Sequence, residues 1–144
     1  MNKDALALDN QLCFAIYSAS HAFTKFYKPL LAELDVTYPQ YLVLLFLWQT
    51  PEARVTDICG ALGLDTGTLS PLLKRLEKTG YIRRERSAED ERQVVIRLTP
   101  LGLAKRPVAE AILAEIGKAV GCSLEEVETM RDSLKSLKTR LAAA

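Results

Sequence analysis

Cysteines are the residues of this 144-residue chain best suited to carry out chemistry, and they stand at Cys13, Cys59 and Cys122. No two of them form a CxxC pair and His21 is the one histidine, so we expect no metal site and no cofactor. An odd number of cysteines cannot pair completely within one chain, which argues against a disulfide scaffold. A single thiol can still sense oxidants, because its thiolate attacks peroxides and becomes a sulfenic acid. Taken alone, however, a cysteine such as Cys13 is more often a small buried hydrophobic residue.

The composition is that of an ordinary folded domain. Lys and Arg total 19 against 18 Asp and Glu, and the resulting net charge of +1 excludes a uniformly basic nucleic-acid coat. Hydrophobic residues make up 49% of the chain and charged residues 26%, which is typical of globular proteins. The longest apolar run, residues 41–48, is far shorter than the roughly 20 residues that cross a bilayer, and residues 1–9 lack a signal-peptide pattern. We therefore expect a cytoplasmic protein with no membrane association.

The first third of the chain predicts two helices. Apolar residues recur every three or four positions over residues 8–34, which indicates an amphipathic helix capped by Asp9 or Asn10 and interrupted at Pro29. Pro39 opens a second helix. Its body is apolar on nearly every side, so we expect it to be buried.

The middle of the chain predicts a helix-turn-helix followed by a hairpin. Residues 54–80 indicate two short helices, the first capped by Thr56 and the second by Asp65. Residues 81–86 and 92–98 indicate two strands joined by a charged loop. This order of elements is the winged helix-turn-helix pattern.

The last part of the chain predicts a long helix from Pro100 to about residue 120, bent at Pro107, and a final helix opened by a capping box at Ser123. The first and last helices have apolar faces that a small monomer cannot cover, so they are candidates for a dimer interface. The predicted fold class is mainly α with a small β-hairpin wing. It comprises a winged helix-turn-helix over residues 53–99 and dimerisation helices over residues 8–36 and 100–144.

Basic residues concentrate in residues 71–86, which hold six basic side chains against two acidic ones. The preceding turn of the second short helix carries hydroxyl side chains, which can approach base edges or phosphates. Arg92 beside the hairpin tip is long enough to reach into a minor groove, and Asp90 can orient its guanidinium. A basic cluster alone is more often a solvated surface, but the helix-turn-helix and hairpin favour DNA binding. The candidate DNA-binding residues are Thr66, Thr68, Ser70, Lys74, Arg75, Arg84, Arg86, Asp90 and Arg92.

The residues of this region resemble the MarR family of winged-helix transcription regulators. The resemblance rests on DTGTLSPLLKRLE at 65–77, GYI at 80–82, RS at 86–87, DER at 90–92 and LT at 98–99. Within that family the chain is similar to the organic hydroperoxide resistance regulators, in their two-cysteine branch. That similarity rests on LCFAIY at 12–17, YKPLL at 27–31, TYPQYL at 37–42 and LW at 47–48.

The resemblance covers nearly all of residues 1–144 and implies a single MarR-type protomer of a homodimeric repressor. Such a repressor binds double-stranded operator DNA and releases it when an organic hydroperoxide oxidises it. The resemblance implies that Cys13 is the peroxide-sensing cysteine and that Tyr27 and Tyr38 hydrogen-bond its thiolate across the dimer. It also implies that Cys122 is the resolving cysteine, which we expect to form a disulfide with Cys13 of the other subunit. The family's wing pair corresponds to Asp90 and Arg92 of the list above.

Aromatic side chains are expected to line the peroxide pocket. Because they offer apolar surface, organic hydroperoxides should react faster than hydrogen peroxide. The predicted pocket residues are Phe14, Tyr17, Phe23, Phe26 and Tyr41. We expect Cys59 and Trp48 to lie in the core, and we assign no role to His21.

Three other functions stay open from the sequence. The chain could be a MarR-type repressor that a non-covalent phenolic ligand releases from DNA, a one-cysteine peroxidase, or a helical dimerisation module. Peroxidase turnover is disfavoured because no catalytic group beyond the tyrosines and no regenerating CxxC pair is visible. We therefore do not expect an enzyme.

Overall fold

The computed structural model describes residues 4–144. Its elements are α1 (Leu12–Leu31), α2 (Tyr38–Gln49), β1 (Glu52–Arg54), α3 (Val55–Leu62), α4 (Thr66–Lys78), β2 (Ile82–Arg86), β3 (Val94–Leu98), α5 (Pro100–Ala104), α6 (Arg106–Val120) and α7 (Leu124–Ala143). Residue contacts divide the chain into a first unit that ends at Glu110 and a second unit, Ala111–Ala144. The predicted fold class, mainly helical with a small antiparallel sheet, is confirmed.

Helix α1 begins later than the apolar periodicity predicts. Asp9 and Asn10, the predicted caps, lie in a separate 3₁₀ turn, and Gln11 is the N-cap residue. Pro29 does not break the helix but lies in its last turn, where the missing N–H leaves the earlier hydrogen bonds intact. A second 3₁₀ turn follows, and the direction changes at Asp35, which has a positive φ of 54°.

Helix α2 is the centre of the first unit. The backbone N–H of Thr37 donates to Oε1 of Gln40 at 2.8 Å, which fixes the start of the helix. Pro39 occupies its first turn, as predicted. The prediction that this helix is buried is confirmed by its core side chains, which are Tyr41, Val43, Leu44, Leu47 and Trp48.

No single helix in residues 4–144 is both long and apolar enough to cross a membrane. Helix α1 with the turn that follows it, taken together with α2, meets the length and composition requirement, but the pair is bent by 65°.

Helices α3 and α4 begin at different kinds of cap. Arg54, and not the predicted Thr56, is the N-cap residue of α3, because Oδ2 of Asp57 accepts the Arg54 backbone N–H at 3.1 Å. Asp65 caps α4 as predicted, and its Oδ1 accepts the backbone N–H of Thr68 at 2.7 Å. The buried face of α4 carries Leu69, Leu73 and Leu76.

The hairpin is part of a three-stranded antiparallel sheet in the order β1-β3-β2. The predicted strands β2 and β3 are confirmed, with Arg84 opposite Ile96. The sequence reasoning missed β1, which places Ala53 opposite Ile96 on the other side. A strand of three residues is too short to produce a detectable alternation of polar and apolar side chains.

The helix predicted as continuous from Pro100 to residue 120 is two helices, and the break falls at Lys105. The reason is Pro107, which lacks the N–H that would bond to the carbonyl oxygen one turn earlier. The capping box predicted at Ser123 is confirmed, since Ser123 Oγ accepts the Glu126 N–H and Glu126 Oε2 accepts the Ser123 N–H.

Two buried side-chain hydrogen bonds connect the end of α2 and the turn after α1 to residues that flank the hairpin, in α5 and just before β2. The Trp48 indole N–H donates to the carbonyl oxygen of Gly102 at 2.9 Å. The Tyr81 hydroxyl donates to the carbonyl oxygen of Leu34 at 2.8 Å. Position 102 accepts only glycine, because a Cβ there would collide with the backbone carbonyl of Tyr81 and lie 2.7 Å from Cδ1 of Leu98.

We predict that Gly102→Ala destabilises the protein by about 1–3 kcal/mol, because overpacking forces backbone shifts at a buried contact. Urea unfolding followed by circular dichroism measures this loss. Gly60→Ala is the matched control, since a Cβ at this helical position meets nothing within 4 Å and should slightly stabilise α3. Equal stability of the two variants would show that the contact at position 102 is not constraining.

Candidate nucleic-acid interface and thiol site

Helix α4 presents its first turns to solvent. Thr66 and Thr68 are exposed and Ser70 is half-buried, while the leucines of the opposite face lie in the core. Hydrogen bonds from Thr68 hold the pKa of the Asp65 carboxyl below its usual value, so the cap stays ionised near neutral pH. The predicted hydroxyl-bearing surface of the helix is therefore available to a ligand.

The strand β2 is fastened to α4 by one ion pair. Glu77 on α4 accepts three hydrogen bonds from Arg84: from its backbone N–H at 3.0 Å, from Nε at 3.2 Å and from Nη2 at 3.1 Å. These bonds lower the pKa of Glu77. Arg84, predicted to contact DNA, thus also sets the position of the hairpin relative to the helix.

The hairpin tip and the end of β2 hold two more of the predicted basic residues, Arg92 and Arg86. Arg92 is 93% exposed at the side chain, and its Nε lies 3.5 Å from Oδ1 of Asp90. The same carboxylate oxygen accepts the Arg92 backbone N–H at 3.0 Å, so the predicted pairing of these two residues is confirmed. Arg86 donates from Nη1 to the carbonyl oxygen of Glu91 at 2.9 Å, which closes the loop.

Lys74 and Arg75, on the later turns of α4, are exposed. Arg75 lies apart from the hairpin, since it lines a cavity of about 890 Å³ with Lys25, Lys28 and Tyr38. The structure therefore does not gather all the predicted basic residues into one patch.

A second cavity, of about 330 Å³, joins α3, α4 and the hairpin. It brings together four predicted residues, Thr66, Ser70, Arg84 and Arg92, with one that the sequence reasoning missed, Arg54. Arg54 lies outside the basic run at 71–86, so local charge could not reveal it. The signal that could have found it is a basic residue immediately before the first helix of the helix-turn-helix.

The thiol of Cys13 lies in the first turn of α1 and is exposed. Cys122 is also exposed, in the loop between α6 and α7, with Sγ 3.5 Å from the carbonyl oxygen of Val120. Cys59, expected in the core, is only half-buried on α3. Within residues 4–144 no group of three His, Cys, Asp or Glu side chains is arranged to hold a metal ion.

Tyr27 and Tyr38 form a cluster with Tyr41 where α1 meets α2. The Tyr27 and Tyr38 ring centroids are 4.8 Å apart, and the Tyr27 and Tyr41 centroids are 5.8 Å apart. Burial, followed by the neighbouring phenols, raises the pKa of Tyr27 to about 12, and burial also raises the pKa of Tyr38. Both phenols therefore remain neutral hydrogen-bond donors at physiological pH.

Cys13 and Tyr27 cannot meet within one chain. They stand fourteen residues apart on the same continuous helix, a separation of about 21 Å at 1.5 Å per residue. Tyr38 packs against Tyr27, with ring centroids 4.8 Å apart, and so lies at the same end of the helix as Tyr27. A hydrogen bond between this sulfur and either phenol requires a second copy of the chain.

The aromatic residues predicted to line the peroxide pocket differ in how far they are exposed to solvent. Tyr41 is 3% exposed and packs edge-on against Trp48 at 6.1 Å between centroids, as a core residue does. Tyr17, Phe23 and Phe26 are exposed, at 59%, 44% and 41%. Phe14 is half-buried. Tyr17 stacks on His21 with centroids 4.1 Å apart.

Known proteins resemble this chain over most of its length. The family described as transcriptional regulator SarA/Rot matches residues 25–105. The HTH-type transcriptional regulator TtmR of Methylorubrum extorquens is 46% identical over 97% of this chain and 72% of its own length. The organic hydroperoxide resistance transcriptional regulator of Bacillus subtilis is 45% identical over 96% of this chain and 92% of its own length.

Solved structures extend the likeness to the fold. AbfR of Staphylococcus epidermidis is 36% identical, covers 95% of both chains and superposes with a TM-score of 0.82. Reduced AbfR bound to DNA is 38% identical over 94% of both chains with a TM-score of 0.78. Disulfide-formed AbfR is 40% identical over 90% of this chain and 91% of that one, with a TM-score of 0.67.

A structure of MarR itself, 20% identical, covers 93% of this chain and all of that one with a TM-score of 0.76, and so shares the fold. The relatives are regulators of transcription and not enzymes. They confirm the family resemblance inferred from the sequence motifs. The chain belongs to the winged-helix transcriptional regulators of SarA/MarR type.

Proposed function

We propose that this protein is a cytoplasmic, homodimeric repressor that binds operator DNA and releases it when an organic hydroperoxide oxidises Cys13. The observation that carries the proposal is the separation of the thiol from its phenolic partners along α1. If the start of α1 in one copy lies beside the end of α1 in the other, each thiol reaches the tyrosine cluster of the other copy. The Bacillus subtilis relative, named for organic hydroperoxide resistance, supports this signal.

The surface of α1 supports the dimer. Five of its large apolar or aromatic side chains are exposed to solvent, and exposed apolar surface often marks a contact with another protein. They are Leu12, Ile16, Tyr17, Phe23 and Phe26. A partner's helix laid on this face would cover them and supply the apolar wall expected around the peroxide.

The neutral phenols support activation of the thiol. A cysteine with a pKa of about 8.5 is only roughly 7% ionised at pH 7.4. Hydrogen bonds from Tyr27 and Tyr38 of the other copy to the sulfur would stabilise the thiolate relative to the thiol. The position of Cys13 in the first turn of α1 adds the positive end of the helix dipole.

The reaction then follows from the chemistry of the thiolate. The Cys13 sulfur attacks the terminal oxygen of the hydroperoxide, the O–O bond breaks, and the alkoxide leaves and takes up a proton to become an alcohol. Cys13 becomes a sulfenic acid. Attack by the Cys122 thiolate of the other subunit forms the disulfide and releases water. The exposure of both sulfurs supports this second step.

Loss of DNA binding follows if the bridge moves the two recognition helices apart. Tyr81 and Trp48 support such a coupling, because they bond the turn after α1 to the start of the hairpin and the end of α2 to α5, which follows the hairpin. A displacement of α1 or α2 is therefore resisted at the hairpin or transmitted to it. The solved structures of DNA-bound and disulfide-formed AbfR are consistent with this sequence of events.

A second function is favoured by the 890 Å³ cavity between the second half of α1 and the start of α2. Lys25, Lys28 and Arg75 line it together with apolar side chains. Such a site suits a phenolic carboxylate, whose non-covalent binding could release the DNA without any oxidation.

Cys13→Ser distinguishes the two functions. We predict that this variant binds the DNA upstream of its own gene as tightly as the wild type but no longer releases it on addition of cumene hydroperoxide. A gel shift with and without the peroxide, and separately with salicylate, measures both responses. Cys59→Ser is the control and should respond normally. Release of the Cys13→Ser complex by cumene hydroperoxide would overturn the sensing role of this thiol.

Mixed dimers test whether the thiol of one chain lies beside the tyrosine cluster of the other chain. In a dimer of one Cys13→Ser chain and one Tyr27→Phe chain, the remaining thiol faces an intact Tyr27 of its partner and should react normally. In a dimer of one doubly substituted chain and one wild-type chain, the remaining thiol faces Phe at position 27. Its sulfenic acid should form about ten times more slowly, because one hydrogen bond to a charged group is lost. Trapping with dimedone measures the rates, and the opposite ranking would show that the phenol acts within its own chain.

Non-reducing gel electrophoresis tests the bridge. We predict a dimer-sized band after one equivalent of cumene hydroperoxide, absent from Cys122→Ser and from Cys13→Ser but retained by Cys59→Ser. A monomer-sized band from the oxidised wild type, in a sample that has released its DNA, would exclude the intersubunit disulfide.

A further inference from the structure

The 330 Å³ cavity between α3, α4 and the hairpin has the lining of an anion site. Three arginines and three hydroxyl side chains line it, and none of the described residues around it is acidic. The polar lining consists of Arg54, Thr56, Thr66, Ser70, Arg84, Arg92 and Gln93.

Each of the three arginines is held by a carboxylate that does not line the cavity. Arg54 Nε lies 3.3 Å from Asp57 Oδ2, and its Nη2 lies 3.4 Å from the other oxygen. Arg84 is likewise held through Nε and Nη2 by Glu77 of α4, and Arg92 pairs through Nε alone with Asp90, at 3.5 Å. A guanidinium tethered through Nε keeps terminal N–H groups for a second partner, already oriented.

Two helix N-termini add to the positive potential. Val55 and Thr56, the first two residues of α3, and Thr66, the first residue of α4, all line the cavity. The first backbone N–H groups of a helix lack partners within the helix, and its dipole favours a negative charge at this end.

We propose that this cavity binds one phosphodiester of the DNA backbone, and that Arg54 is the residue that clamps it from the side of α3. The inference rests on the proposed DNA binding and adds to it a contact outside the recognition helix and the hairpin tip. A phosphate held here lies against the first turn of α4, so it fixes how deeply that turn enters the groove. The contact is independent of base sequence, because every nucleotide carries the same phosphodiester.

Arg54→Gln tests the clamp against a matched control, Arg106→Gln. Both arginines are exposed and start a helix, and each pairs with an acid one turn later, Asp57 at 3.3 Å and Glu110 at 3.9 Å. Fluorescence anisotropy over a range of salt concentrations gives the affinity for two duplexes, the upstream DNA of the gene and a scrambled sequence of equal length. Arg54→Gln should weaken binding to both duplexes about tenfold. It should also reduce the salt slope by about 1 for each bound subunit. Arg106→Gln should change neither.

Arg54→Gln removes a cation and also leaves the Asp57 carboxylate without its partner. The double variant Arg54→Gln/Asp57→Asn separates these two effects. It should retain the weaker binding and the reduced salt slope, and its melting temperature checks that α3 still folds. Arg54→Lys should recover part of the salt slope but not the full affinity, because an ammonium group lacks the planar fork.

Four results would overturn the inference. If the wild type binds DNA and the salt slopes of Arg54→Gln and Arg106→Gln are equal, then Arg54 does not contact a phosphodiester. The proposed function would still stand. If Arg54→Gln loses affinity only for the upstream duplex, Arg54 recognises bases and not the phosphate backbone. A rise in the melting temperature of the wild type with inorganic phosphate, absent from Arg54→Gln, would identify a site for free anions. If the wild type binds neither duplex, the proposed function fails and the clamp fails with it.

Discussion

The rigid length of α1 is the constraint on which the proposed chemistry depends. A helix fixes the distance between its own residues, and this one holds its thiol and its phenol about 21 Å apart. No side-chain rotation in a single chain closes that gap. Under the proposed function the sensor is complete only between two copies, and the exposed apolar side chains of α1 give those copies a surface on which to associate. The same helix carries the proposed reactive thiol, one of the two phenols and that surface, while the second phenol, Tyr38, lies on α2.

The opposite end of the first unit is organised by ion pairs and buried hydrogen bonds. Glu77 determines where β2 lies on α4, and Asp90 restrains the side chain that projects from the tip. Trp48 and Tyr81 connect the end of α2 to α5 and the turn after α1 to the start of the hairpin, through backbone carbonyl oxygens whose positions change only when the chain itself moves. Under the proposed function, such connections would carry a rearrangement at α1 to the DNA-binding elements without a long chain of flexible contacts.

The sequence predicted those parts of the fold that local chemistry determines. The cap at Asp65, the buried helix after Pro39 and the hairpin all follow from residue type and spacing, and all are present. Errors arose where a tertiary contact decides. β1 exists because a neighbouring strand offers it hydrogen bonds. The cap of α3 is a different case, because it depends on a local contact: Asp57 accepts the backbone N–H of Arg54, three residues earlier, whereas the sequence suggested Thr56 as the cap. The candidate site divides in the same way: the wing pair was predictable from adjacent residues, whereas the cavity lined by Arg54 required the assembled elements.

The order of strands has a consequence for how the protein behaves at high concentration. β2 is an edge strand that pairs only with β3 among the described residues, and four of its five residues, 83–86, are charged. An uncharged strand in that place would offer its open N–H and C=O groups to any other extended chain. Here a second hairpin that approached in register would bring arginines against arginines, and the repulsion disfavours stacking into a continuous sheet. The charges on this open strand thus keep the hairpin from seeding aggregation through its edge.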